Sequence, residues 1–336
     1  MNISSKKITQ AALAAALATG VFATTASANG ATFSDIPEAN VHYDNIYNLA
    51  NRSVITGYPD GTYQPARQLT RAEAAVILTN ALDLDTSFVE NPGFPDVKKG
   101  AWYYEEIAIL AEYGIMNGHT NGKFGPNDKL TRAQMASILT AAYYLYPANF
   151  VETPFTDVVE GSWYDDYVQA LYHFGVTSGV SKTKFAPNDF VRRDAMASFV
   201  VNSENVSEEA KSEEWMLMLA EMYNDNRYNP MKASVDTKTN TITVTIAPTT
   251  RQADLINTTE LFYSIIPFYD FAFASVKGSN YDLSWEDYEE ATREIFKSLG
   301  VSDAADLNEV GGKSVTFTFE GWNGEMFEYT VVFKNQ

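Results

Sequence analysis

The chain has 336 residues and 45% hydrophobic content, enough for a folded core and for two or three domains. A formal net charge of −19 excludes electrostatic binding to nucleic acid or to an anionic membrane, which needs clustered Lys and Arg, so an anionic ligand must be met by local cations. The absence of cysteine excludes disulfides and thiolate chemistry, and the three histidines, His42, His119 and His173, leave neither a Ser-His-Asp triad nor His-ligated zinc to the region after Asn205.

Residues 1–28 read as an export signal. Lys6 and Lys7 precede the apolar run from Ala11 to Ala23, and Ala26-Ser27-Ala28 offers a small-x-small cleavage site. No later stretch reaches the ~18 apolar residues that a membrane span needs. The mature protein is therefore expected to be exported and held, if at all, by non-covalent contacts.

From residue 31 the sequence repeats itself at an interval of 61. Phe33-Ser34-Asp35 returns as Phe94-Pro95-Asp96 and Phe155-Thr156-Asp157; Gly57 as Gly118 and Gly179; Pro65 as Pro126 and Pro187; Arg71 as Arg132 and Arg193. A fixed period means one supersecondary unit packed on copies of itself, each burying an apolar face that it cannot bury alone. The repeats divide as 31–90, 91–150 and 151–204.

Each copy reads as helix, loop, helix. In the second, Ile107, Leu110, Ala111 and Ile115 fall at helical spacing before Gly114 and Gly118. Asn121 to Pro126 has turn chemistry, and Asp128 or Thr131 can cap a second helix carrying Ala133, Ala136, Ile138, Leu139 and Ala142. The first copy gives a helix from Asp44 to Asn51, a turn from Tyr58 to Tyr63, and a second helix opened by the capping box Thr70/Glu73.

Arg71, Arg132 and Arg193 each sit in the first turn of a second helix, where the macrodipole is positive and a cation is misplaced unless an anion lies nearby. An ion pair with the repeated Asp would answer this. So would reception of an external anion by the Arg beside free helix amides.

The motifs Phe-x-Asp-Val, Trp-Tyr, Gly-Tyr-x-Asp-Gly-Thr-Tyr-x-Pro and Leu-Thr-Arg-Ala-Glu together resemble the S-layer homology domain, here as a tandem triplet over roughly residues 31–203. The resemblance implies a mainly α pseudo-trimer with a central helix bundle and grooves between adjacent repeats. It implies as ligand the secondary cell-wall polymer of Gram-positive-type bacteria, whose terminal N-acetylmannosamine carries a pyruvate ketal, and hence a location in the cell wall or surface layer. On that basis Arg71, Arg132 and Arg193 would pair with the ketal carboxylate, and Asp35, Asp96 and Asp157 would accept from sugar hydroxyls. Trp102 and Trp163 would present an aromatic face or hold the groove's shape, with core packing the alternative. Gly57, Gly118 and Gly179 would permit close backbone approach. No catalytic residue, cofactor or metal is implied, and other surface proteins are further candidate partners.

The copies depart from one another. Val41 stands where the others have Trp102 and Trp163. Gln134 replaces the capping Glu, though it can still close the box. The third repeat has Val180-Ser181-Lys182-Thr183-Lys184 in place of the Tyr-x-Asp-Gly-Thr turn and Val191-Arg192-Arg193-Asp194 at the helix start, which predicts a weakened or altered groove.

After Asn205 the period stops. A Glu-rich linker from Glu204 to Glu214 is expected to lead into a helix from Trp215 to Tyr223. Residues 233–236 and 241–246 alternate around Thr237 to Asn240, and 315–319 and 327–333 around Gly321 to Gly324, which predicts two antiparallel hairpins. Asp254 to Phe273 and Ser284 to Leu299 read as helices, giving an α+β domain over 205–336. Its aromatics (Phe262, Tyr263, Phe268, Tyr269, Phe271, Phe273, Tyr281) suit a core face better than a sugar- or peptide-binding surface. Its acids (Glu286, Asp287, Glu289, Glu290, Glu294) suit a solvated helix face better than a glycosidase pair. The expected protein is a non-enzymatic, wall-anchored display protein. A carboxylate-dependent wall hydrolase and a small S-layer lattice subunit are the rivals.

Overall fold

The computed structural model describes residues 32–225, 231–246, 273–276, 311–320 and 326–335. The export signal, most of the two C-terminal helices expected at 254–273 and 284–299, and the acid cluster lie outside these residues.

Three helix pairs form the first part: α1 (Tyr43–Asn51) with α2 (Arg71–Ala81), α3 (Tyr104–Glu112) with α4 (Arg132–Tyr143), and α5 (Asp165–His173) with α6 (Arg193–Glu204). Thr70 caps α2 and Thr131 caps α4, each in a full capping box with Glu73 or Gln134; Asp128 plays no part in capping. At the start of α6 Arg192 occupies the cap position without a side-chain cap bond, and the buried Asp194 instead pairs with the Arg192 guanidinium at 2.5 Å.

The pairs close into a ring. The second helix of each repeat packs on the first helix of the next: α2 on α3, α4 on α5, and α6 back on α1. At the centre three fully buried residues in equivalent positions exchange backbone bonds in a cycle. Leu69 N–H donates to Val191 O at 2.9 Å, Val191 N–H to Leu130 O at 2.8 Å, and Leu130 N–H to Leu69 O at 3.1 Å. One apolar core runs through all three repeats, from Ile36 through Leu78, Leu110 and Leu139 to Val200.

The second part begins without the expected long linker. Only residues 205–207 separate α6 from α7 (Glu208–Asp225), so most of the Glu-rich stretch is helix. Helix α7 joins the two parts. Glu214 accepts from Ala148 N–H at 2.8 Å and bonds His173 Nε2 at 2.7 Å on the ring side, while the Trp215 ring meets Tyr329 of the sheet in a tilted contact at 5.7 Å.

The sheet holds β1 (Met231–Asp236), β2 (Thr241–Ile246), β3 (Phe273–Val276), β4 (Ser314–Glu320) and β5 (Met326–Asn335) in the order β1-β2-β5-β4-β3. Both expected hairpins, β1/β2 and β4/β5, are present and antiparallel. They join edge to edge through a parallel pairing of β2 with β5, Thr241 opposite Thr330, so the sheet is mixed. Phe273, expected to end a helix, begins a strand. Alternation buries Ile242, Val244, Val315, Phe317, Tyr329, Val331 and Phe333 on one face.

Candidate functional site

The repeated Asp is a clamp on its own repeat. Both carboxylate oxygens of Asp35 accept backbone amides, from Tyr63 at 2.7 Å and Gln64 at 2.8 Å. Asp96 does the same for Phe124 and Gly125, and Asp157 for Phe185 and Ala186. These bonds favour the charged form and hold the Asp96 and Asp157 carboxyls below the usual range, against the burial that opposes them. Gly57 and Gly118 lie against the Phe of the same motif. A methyl group at either would meet Phe33 or Phe94 at 2.5 Å, and Gly179, at φ +82°, would in addition meet Lys184 O at 2.4 Å.

The repeated Arg reaches into the next repeat. Arg71 Nε donates to Phe124 O at 2.8 Å and its Nη2 to Asn117 O at 2.7 Å. Arg132 Nε donates to Phe185 O at 2.7 Å. Arg193 closes the cycle onto the first repeat, to Tyr63 O and Thr56 O, both at 2.9 Å. Each guanidinium also lies over an aromatic ring of the receiving loop, Phe124, Phe185 or Tyr63, at 4.5 to 4.7 Å.

Two expectations are corrected here. The Arg and the repeated Asp form no ion pair, because backbone amides already occupy the Asp. Nor are the amides at the helix starts free. In α2, Arg71 N–H donates to Asp128 O, Ala72 N–H to Pro126 O and Glu73 N–H to Thr70 Oγ1, and α4 repeats the pattern with Asp189, Pro187 and Thr131. An anion at these positions would have to be held by the guanidinium itself.

That guanidinium is in an unusual state. Arg71, Arg132 and Arg193 retain only 5%, 7% and 8% exposure, yet none takes part in an ion pair among the described residues. Burial pulls the Arg132 guanidinium down to about 10, and Arg71 in the same direction, although Asp128 and Asp96 near Arg71 oppose it from a distance. A buried cation held by carbonyls and ring faces, with no ion-pair partner, leaves room for a further negative charge beside it.

A cavity of about 230 Å³ opens beside one of these guanidiniums. It is lined by residues 54–58, by Glu73, Val76, Ile77 and Asn80 of α2, by Trp102 and by Arg193. Gly57, Trp102 and Arg193, three of the expected site residues, thus meet from three different repeats. The Trp side chains are not core: Trp102 is 62% exposed and Trp163 59%, each braced edge-on by the following Tyr.

By the 61-residue period the residues equivalent to Gly57, Trp102 and Arg193 are Gly118, Trp163 and Arg71 for a second groove, and Gly179, Val41 and Arg132 for a third. In the third, two polar side chains of α1 and its cap are already spent on α6: His42 Nδ1 lies 2.7 Å from Ser198 Oγ, and Asn45 Nδ2 donates to the same oxygen at 2.8 Å. Sequence reasoning missed Tyr58, Glu73 and Arg67 at the first groove. Their signal was available in the columns that vary among the copies, Tyr58/His119/Val180 and Arg67/Asp128/Asp189, rather than in those that repeat.

Comparison with known proteins agrees with this architecture. The chain is 32% identical over 205 residues to an S-layer protein of Bacillus thuringiensis subsp. finitimus, covering 59% of this chain and 24% of that one. It is 34% identical over 197 residues to an S-layer protein of Bacillus licheniformis, covering 58% and 22%. It is also 34% identical over 178 residues to an endoglucanase of Bacillus sp. strain KSM-635, covering 51% and 18%. The chain thus spans about a quarter of the length of these relatives or less. Residues 32–75, 93–136 and 154–197 match the model of the S-layer homology domain, and the ring of this protein is therefore built of three S-layer homology domains.

Proposed function

We propose that this is a cell-surface protein whose three-domain ring anchors it to a polysaccharide of the cell wall, with the sheet domain displayed outward. The observation that carries the reading is the meeting of Gly57, Trp102 and the buried, unpaired Arg193 in one cavity. A pyranose carrying a carboxylate satisfies all three features: the anion neutralises the guanidinium, the ring lies on the indole, and the glycine leaves the wall low. The ligand we assign is the wall polymer's terminal N-acetylmannosamine with its pyruvate ketal. Asp35, Asp96 and Asp157 hold the loop that frames each groove, and their oxygens keep lone pairs for a sugar hydroxyl.

The first and second grooves, with Trp102 and Trp163, are the competent pair. The third offers Val41 in place of the indole. Two grooves on one rigid ring acting on a polymer with many ends gain by effective concentration, so modest affinity per groove suffices for anchoring. The relatives, an endoglucanase among them, match only part of this chain and a smaller part of their own length, which fits a module that carries different cargoes.

The test is sedimentation of the mature protein with purified wall sacculi, intact or stripped of pyruvate ketals. Binding to intact walls alone supports the reading; equal binding to both, or none, removes it.

A further inference from the structure

The three grooves are alike in their repeated residues and unlike at their mouths. Beside the first, Arg67 Nη1 donates to Glu73 Oε1 at 2.5 Å and to the Tyr58 hydroxyl, both residues of the cavity wall. Tyr58 stands between two cations, with the Arg67 guanidinium 5.7 Å and the Arg193 guanidinium 5.1 Å from its ring centroid. Arg193 is buried, while the Arg67 side chain is 37% exposed at the rim.

The equivalent of Arg67 is Asp128 in the second groove and Asp189 in the third. Asp128 is 65% exposed and lies 3.3 Å from His119, the counterpart of Tyr58. The mouth of the first groove thus combines Arg67 and Arg193 against the single Glu73, whose other oxygen is spent on the Thr70 cap. The second combines Arg71 with Asp128 and the neutral Gln134, and the third Arg132 with Asp189 and Ala195. At these three columns the first copy is net positive and the other two are neutral.

We propose that Arg67 makes the first groove selective for a ligand with two anionic groups, one received by Arg193 in the cavity and a second, such as a phosphodiester on the adjoining saccharide unit, held by Arg67 at the rim. Asp128 turns the second groove towards ligands with a single anion. This inference rests on the reading of the grooves as saccharide sites. It assigns their specificity to a position outside the repeated motif. Arg67 keeps unspent donors for the purpose, and Tyr58 fixes the spacing between the two cations.

The experiment uses the mature full-length protein, tryptophan fluorescence, and two probes: the pyruvylated N-acetylmannosamine monosaccharide, and the same sugar bearing a phosphate monoester at its anomeric oxygen. The wild type should prefer the phosphorylated probe by about tenfold, the scale of one charge-assisted contact. The preference should shrink as salt is raised. Arg67→Gln should abolish the preference, read as the ratio of the two probes' affinities within the variant. Asp128→Arg, at an exposed side chain, should add a second high-affinity site for the dianionic probe. Equal wild-type affinity for both probes, or a preference that survives Arg67→Gln, overturns the inference and leaves the groove reading intact. Failure of the wild type to bind either probe removes both.

Discussion

Arg52 and Glu204, 152 residues apart, meet as a two-pronged pair, Nη1 to Oε2 at 2.7 Å and Nη2 to Oε1 at 2.9 Å. Arg52 caps the C-terminus of α1 and Glu204 ends α6, so the pair fastens the first repeat to the last. The hydrogen bonds that Arg52 donates to Glu204 raise its guanidinium further, against the burial that lowers it. Arg52 is 44% exposed, which caps what the pair is worth. Arg52→Ala should lower unfolding free energy by about 1 kcal/mol in low salt and by less in high salt, read from denaturant midpoints at two ionic strengths.

The glycines of the grooves make a graded series. Gly57→Ala puts a methyl group 2.5 Å from Phe33 Cε1 and 2.8 Å from Thr62 O, and overpacking of this kind costs about 1–3 kcal/mol. Gly179→Ala adds to a similar clash a φ of +82° that a side chain resists. Thermal unfolding should therefore rank Gly179→Ala below Gly57→Ala, and both below the wild type.

His42 sets an acid limit on ring closure. Burial lowers its affinity for a proton in the folded state, with Arg192 and Arg132 adding to the effect and Asp194 opposing it. The unfolded chain then binds more protons than the folded one, so stability rises with pH across this titration. The contribution is complete above 6.5, the ordinary value, and is lost as pH falls below it towards the lowered folded value. His42→Gln should flatten the slope of stability against pH between 7 and 5, as measured by urea unfolding at each pH.

Asn224 at the end of α7 covers the edge strand. Its side-chain amide donates to Ala233 O at 2.8 Å, and its carbonyl accepts from Ala233 N–H at 3.2 Å, as a neighbouring strand would. Asn224→Ala uncovers that pair of backbone groups, and edges so exposed recruit other strands. The variant should lose about 1 kcal/mol and self-associate in sedimentation velocity at concentrations where the wild type is monodisperse.

What was legible in the sequence was what is local. The capping boxes Thr70/Glu73 and Thr131/Gln134 lie within one helix turn, and both hairpins announce themselves by alternation around a turn. The resemblance named Gly57, Trp102 and Arg193 as candidate site residues but did not show that they share one cavity, since no spacing rule brings residues 57 and 193 together. The Asp clamps were misjudged because a carboxylate beside an arginine column suggests an ion pair, whereas two backbone amides 28 and 29 residues downstream claimed both oxygens first. The parallel seam between β2 and β5 joins strands some 85 residues apart and leaves no mark on either.

The cycle through Leu69, Val191 and Leu130 also bears on how such a module can change over generations. An open stack of repeats tolerates gain or loss of a copy, because each end simply moves along. Here every copy donates to one of the other two and accepts from the other, so two copies would leave the circuit broken and a fourth would have no place in it. Variation is confined to substitution within a fixed trio, and the three copies can diverge in sequence while their number stays constant.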